Sequence, residues 1–190
     1  MIKYFVAFIL LVSVKPWWEV GHLLTAAVAQ LQLAKDSPST YVSFNKIITS
    51  INSMADNRSQ TFIESACWPD DIKPYNSFWN SWHFKDCPYV YDGIQPILNY
   101  TESISSSVYI VNMAKKVLSN NKDKATAEKA LLARYLVHLA GDIHQPLHSV
   151  ALFNETYPSG DQGGNKLSVV LLNGTTQNFH SFWDSGANQF

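Results

Sequence analysis

Charge is scarce in this chain. Only 15% of its 190 residues are charged, and 14 Lys and Arg against 15 Asp and Glu leave a formal net charge of −1. No basic surface advertises nucleic acid or an anionic membrane through charge alone. An anionic ligand would have to be held mainly by a metal ion, which supplies positive charge that the side chains lack. Cysteine is just as sparse: Cys67 and Cys87 are the two in the chain, and neither belongs to a C-x-x-C motif, which argues against cysteine metal ligation. They could form one disulfide in an oxidising compartment or stay as thiols; the bridge is the expectation. There are no internal repeats and no low-complexity tracts, so one domain is the simplest reading, and 46% hydrophobic residues are ample for its core.

No apolar run is long enough to cross a bilayer. The longest, Tyr4 to Val14, follows Lys3 and reads as a secretory leader, the alternative being an N-terminal core segment. Residues 1–16 are taken as leader and 17–190 as the domain, although cleavage before Trp17 would place Lys15-Pro16 at the junction, against the small-residue rule. Sequons at Asn57, Asn99, Asn154 and Asn173 fit an exported glycoprotein. A secreted or lumenal protein, not membrane-bound after leader removal and with no stable protein partner implied, is expected.

What the chain does have is histidine, and in company. Ala, Leu, Lys and Glu dominate from Ala125 to Ala140, strong helix formers that predict a helix beginning near Lys124. His138 and Asp142 are then i,i+4 neighbours on one face. Pro146 lacks an N–H and its ring would collide with the carbonyl of Asp142, so the helix kinks or stops and His148 swings toward the same pocket. Two imidazoles and a carboxylate suit Zn²⁺. A single histidine near apolar residues is more often a hydrogen-bonded core residue, but five of the six (His22, His83, His138, His148, His180) lie close to a Trp or Asp. His180 and Asp184 repeat the i,i+4 pairing. His144 points away from His138 and Asp142 and reads as structural or as a support behind the ligands.

Elsewhere, residues 17–33 predict a buried helix with His22 in its first turns and Gly21 beside it admitting a close approach. Residues 40–51 predict a second helix. Pro69 is expected to end or kink a helix next to Asp70 and Asp71, and residues 74–87 form an aromatic loop. Residues 94–118 predict one long core helix. Residues 167–172 with Asn173-Gly174 predict a small two-stranded ribbon, and the chain turns helical again from Asn178.

Collected, the motifs are Trp17-x4-His22, Trp68-Pro-Asp70, Trp82-His83-Phe84-x-Asp86, His138-x3-Asp142-x5-His148, Gly163-Gly-Asn165-Lys and Asn178-x-His180-x3-Asp184. In this order and spacing the chain resembles the secreted, zinc-dependent, single-strand-specific nucleases and 3′-nucleotidases called type I nucleases, whose helical fold is shared with a zinc phospholipase C. The resemblance runs from Trp17 to Phe190, and Gly-Asp-Ile-His-Gln-Pro-Leu-His is its most specific part.

The resemblance implies a mainly α, single-domain phospholipase C/nuclease-type fold with a small β-ribbon, without the family's C-terminal helices. It implies three zinc ions per chain: one on Asp70, His83, His138 and Asp142; a close neighbour on His22, Asp142 as bridge, and Trp17 through its α-amine and carbonyl; a third on His148, His180 and Asp184. Phe84 would stack a base, with core packing as its other reading, and Asn165 would contact a base edge. Asp86 would orient the nucleophile or a base, and Lys73 stands where relatives carry Arg near the phosphate. Two metals about 3.5–4 Å apart sharing a carboxylate would activate a water against phosphorus. The implied activity is endonucleolytic hydrolysis of single-stranded RNA and DNA to 5′-mononucleotides, with 3′-nucleotidase activity. Rival readings are a zinc phospholipase C-like hydrolase and a shortened, inactive zinc-binding paralogue.

Overall fold

The computed structural model describes residues 16–55, 57–90, 105–120 and 124–188. After a wide helical turn, Pro16–Gly21, come helices α1 (His22–Asp36), α2 (Pro38–Thr49) and the short α3 (Trp68–Asp71). A tight 3₁₀ helix, Ser77–His83, and strand β1 (Cys87–Val90) precede α4 (Ser107–Ser119) and α5 (Ala127–Asp142). Then follow a turn at Pro146–His148, strands β2 (Val150–Phe153), β3 (Ser168–Val170) and β4 (Thr176–Asn178), and α6 (Phe179–Asp184). No helix among the described residues is long and apolar enough to cross a membrane.

Helix α5 is the axis of the fold and packs against α1, α2, α3 and α4. Thr126 caps its start, its hydroxyl accepting from Lys129 N at 3.2 Å. One flank, through Ala130, Ala133 and Val137, meets Ala26, Ile47, Ile48 and Phe62. The other, through Leu132, Tyr135 and Leu139, meets Trp68, Ile110 and Ala114. The small alanines let helices approach closely, and a helix covered on both flanks holds its polar residues rigidly. Buried Arg134 fastens the neighbouring loop: its guanidinium donates to Ile48 O, Ser59 O and Asn52 Oδ1 at 2.8–3.3 Å and lies over the Trp68 ring.

The expected ribbon is present, β3 pairing antiparallel with β4 from Ser168↔Asn178 to Val170↔Thr176. A second pair was not anticipated: β1 and β2 run parallel in register, Cys87↔Val150 to Val90↔Phe153. Four expectations are corrected. Cys67 and Cys87 form no disulfide: Cys67 is buried with its thiol against Glu19 O at 3.8 Å, while Cys87 opens β1 beside Val150. Burial, then the nearby Asp71, pushes the Cys67 thiol up to about 12. Pro69 does not end a helix but starts α3, where its missing N–H would be unpaired anyway. The helix expected over 94–118 begins at Ser107, because Ser106 caps it by accepting from Tyr109 N; residues 94–104 lie outside the described residues. Helix α1 is not buried: only His22 and Ala26 are, while Leu24, Val28 and Leu31 face outward. Residues 1–15 of the expected leader (residues 1–16) and the Asn99 sequon also lie outside the described residues.

Candidate metal centre

The end of α5 determines the site. His138 is fully buried and Asp142 is 1% exposed, one turn apart on the same face. The helix stops at Asp142, as Pro146 requires, and the turn Pro146–His148 brings His148 Nδ1 within 3.4 Å of Asp142 Oδ1. His22, at the start of α1, stacks on His138 with ring centroids 3.8 Å apart. This fit depends on Gly141, where a Cβ would lie 2.9 Å from His22 Nδ1. Helix α3 supplies Asp70, and the 3₁₀ helix ends on His83.

Four ligand atoms converge. Asp142 Oδ2 lies 2.9 Å from His138 Nε2 and 3.2 Å from His83 Nδ1. Asp70 Oδ1 lies 3.7 Å and 3.5 Å from the same nitrogens, which are 2.8 Å apart. A tetrahedral ion with bonds of about 2.0–2.1 Å sets its ligand atoms about 3.3 Å apart, so His83, His138 and Asp142 have the dimensions of one zinc site, with Asp70 Oδ1 close to both of its nitrogens. The other oxygen of Asp142, Oδ1, faces His22 Nε2 at 3.4 Å, and Asp70 Oδ2 faces it at 3.8 Å. Asp142 thus presents one oxygen to each of two adjoining donor groups, as a bridging carboxylate would.

A third group stands further out. His148 Nε2 is 3.6 Å from Asp184 Oδ1, His180 Nε2 is 3.5 Å from Asp184 Oδ2, and the two rings stack at 4.9 Å. Asn178 caps α6 by accepting from Ser181 N, placing His180 and Asp184 one turn apart.

Backbone carbonyls fix the tautomers. His138 Nδ1 donates to Ala66 O at 2.6 Å, His148 Nδ1 to His83 O at 3.1 Å and His180 Nδ1 to Gly163 O at 2.7 Å. Each Nε2 lone pair is left facing a donor group, the arrangement that metal-ligating histidines favour. Gly163 has φ +60°, and a Cβ there would come within 2.2 Å of Leu147 O.

The electrostatics agree. Burial, reinforced by His138, lowers His22 to about 3, and burial lowers His83 to about 4, so both are neutral donors at neutral pH. Burial alone would raise both acids, but His138 and its neighbours outweigh it and hold Asp70 and Asp142 below the usual carboxylate range. His138 moves the other way: burial disfavours its charge, yet Asp142 and Asp70 raise it. A buried point that draws protons between two carboxylates and two imidazoles is one that favours a cation.

These groups open on a cleft of about 600 Å³, also lined by Lys73, Asn80, Phe84, Asp86, Gln162 and Asn165. The structure therefore brings together every candidate read from the sequence except Trp17, whose side chain lies outside the described residues; His138 stands behind the cleft wall. Lys73 Nζ pairs with Asp70 Oδ1 at 2.5 Å. Asp86 is raised by burial, then by Asp161. His144 is exposed and bonds Ala140 O, as expected of a structural residue. Sequence reasoning missed Gln145. Buried, it donates from Nε2 to Asp184 Oδ1 at 2.8 Å while its Oε1 accepts from Leu147 N at 2.5 Å. Its position just ahead of a helix-stopping proline was the available signal.

Residues 17–189 match the family model described as S1/P1 Nuclease. The chain belongs to the S1/P1 nuclease family. Similar proteins include Nuclease P1 of Penicillium citrinum, 30% identical over 184 residues (89% of this chain, 57% of the relative). Nuclease S1 of Aspergillus oryzae is 28% identical over 179 residues (89% and 53%), and Endonuclease 3 of Arabidopsis thaliana 27% over 184 (88% and 53%). The chain spans about half the length of the curated relatives it matches.

Proposed function

We propose that the protein is a zinc-dependent phosphodiesterase that cleaves single-stranded RNA and DNA to 5′-mononucleotides and removes 3′-phosphates from nucleotides. The observation that carries this reading is the double use of Asp142, whose two oxygens face two adjoining donor groups, with a third group nearby on the same cleft. Asp70, His83, His138 and Asp142 would hold one zinc, His22 and Asp142 with Trp17 its neighbour, and His148, His180 and Asp184 the third. Bound there, zinc supplies a Lewis acid for phosphoryl oxygens and lowers the pKa of an attacking water.

The remaining roles belong to the chain's own groups. Phe84, 38% exposed on the cleft, offers a face on which an unpaired base stacks, a contribution of roughly 1–3 kcal/mol per base. A base held in a duplex cannot reach it, which favours single strands. Asn165 presents its amide to a base edge. Asp86, made a stronger base by burial, accepts a proton beside His148 and His180. Lys73 adds to His138 in keeping Asp70 ionised and sets positive charge on the cleft. Residues 1–16 are proposed as a secretory leader whose removal frees the α-amine of Trp17; the first residue of the secreted protein, read by mass spectrometry, tests this.

The central test is hydrolysis by the purified zinc-loaded chain. Cleavage of single-stranded DNA and RNA, with a matched duplex resistant and phosphatidylcholine untouched, is expected. Hydrolysis of phosphatidylcholine alone would transfer the site to phospholipase chemistry. Full zinc occupancy without turnover on any substrate would make the chain an inactive zinc-binding relative.

A further inference from the structure

The segment between Asp70 and His83 sorts its aromatic rings in two directions. Trp79 and Trp82 turn inward, their ring centroids 6.2 and 4.9 Å from that of Tyr135. Tyr75 and Phe78 turn outward, 90% and 80% exposed. A single exposed ring is ordinary, but two within four residues at the edge of a cleft mark a contact surface. Neither ring lines the cleft itself, but their chain neighbours do: Lys73 and Pro74 on one side and Asn80 on the other stand in its wall.

Charge narrows the choice of ligand. Among the described residues that line the cleft, Lys73 is the one Lys or Arg, and its ammonium is paired with Asp70. A strand running on beyond the scissile phosphate would meet little ionic attraction from the wall. Affinity for further nucleotides must then come from uncharged contacts, and stacking on aromatic rings accepts any unpaired base. We infer that Tyr75 and Phe78 form a second stacking platform for the bases of a single strand as it leaves the cleft. The inference rests on the nucleolytic reading and adds to it a dependence on substrate length.

The test uses the zinc-loaded full chain with fluorescein-labelled phosphorothioate oligothymidylates of two, four and eight residues, followed by anisotropy. Affinity is expected to rise with length, and Tyr75→Ser/Phe78→Ser should reduce the octamer-to-dimer affinity ratio by about 5- to 150-fold. Tyr75→Trp/Phe78→Trp should restore the ratio, which a damaged fold would not. An octamer abasic beyond its second residue should bind the wild type like the dimer, and the length gain should persist as salt is raised. A serine double variant with the full length gain, an abasic octamer that binds like the intact one, or a gain abolished by salt would overturn the platform. Failure of the nucleolytic reading is a different result, seen in the wild type alone: no binding of any oligomer and no cleavage of single-stranded DNA. It would overturn the platform as well.

Discussion

The donors gathered round Asp142 and those gathered round Asp184 use the same two residue types, yet they are held in place by different means. His138 and Asp142 ride on α5, which is packed on both flanks, and His22 is pressed against them by its stacking on His138. His148, His180 and Asp184 sit on a three-residue turn and a six-residue helix. Their positions depend on a few named hydrogen bonds, from Gln145 to Asp184 and from His180 to Gly163 O. The histidines follow the same division, His22, His83 and His138 being 2%, 3% and 0% exposed and His148 and His180 12% and 17%; the acids do not, Asp70 being 23% exposed and Asp184 7%. The inner groups are rigid because of core packing, the outer group because of individual polar contacts. Damage to the inner groups should therefore be severe and broad, and damage to the outer group local.

The sharpest test of that contrast is Asp142→Asn. The amide keeps the shape but loses the charge that faces two donor groups at once, so zinc should fall at both inner positions together. Activity should drop roughly 1,000-fold or more, beyond the about 10–100-fold usual for a residue that only orients a ligand. Zinc content and nuclease rate measured on the same preparation check this. Loss of a single ion with near-normal turnover would end the bridging assignment.

Next in size is Gln145→Leu. It removes the donor to Asp184 Oδ1 and the acceptor for Leu147 N in one step, while α5 and its donors stay intact. Zinc affinity at the outer position should weaken about 10- to 100-fold, with the inner pair still full by titration against a chelator. Equal weakening at all positions would mean that the outer group is not independently supported. Gln145→Glu keeps the acceptor for Leu147 N but sets a second carboxylate against Asp184, so it should not rescue outer-site affinity.

The same division explains what could be read from the sequence. The inner site was legible because its strongest features are local: helix formers from Ala125 to Ala140, the i,i+4 spacing of His138 and Asp142, and a proline four residues on that stops the helix. The β3–β4 ribbon was legible for the same reason, its turn being marked by Asn173-Gly174. What was not legible is long-range. The parallel pairing of Cys87–Val90 with Val150–Phe153 joins four-residue strands some sixty residues apart, and Pro88 within one of them hides it further. Gln145 finds its partner 39 residues away. Pro69 was misread because proline is compatible with both ends of a helix, and only packing shows that here it begins one. The outward face of α1 looked like core because Leu24, Val28 and Leu31 have core spacing, and spacing does not reveal whether anything lies against them.

The smallest expected difference is in pH response. Metal binding needs neutral imidazoles, so a proton competes at any histidine whose pKa is raised, and affinity falls as pH drops through that value. Burial disfavours the charged form of His148, but Asp184 and Asp142 more than offset it and raise its pKa. The outer group therefore starts to lose affinity at a relatively high pH. In the inner groups His22 and His83 are lowered to about 3 and about 4, so protons compete there only in more acidic solution. His138 is raised as well, so a proton competes there too, but its ion would keep three other donors where the outer ion would keep two. On stepwise acidification of zinc-loaded protein, one ion per chain should leave first, and it should be the ion already weakened by Gln145→Leu. Metal analysis of the wild type and that variant across the same pH series measures the order. Simultaneous release of all ions, or release from the inner pair first, would show that burial on α5 does not set the order of metal retention.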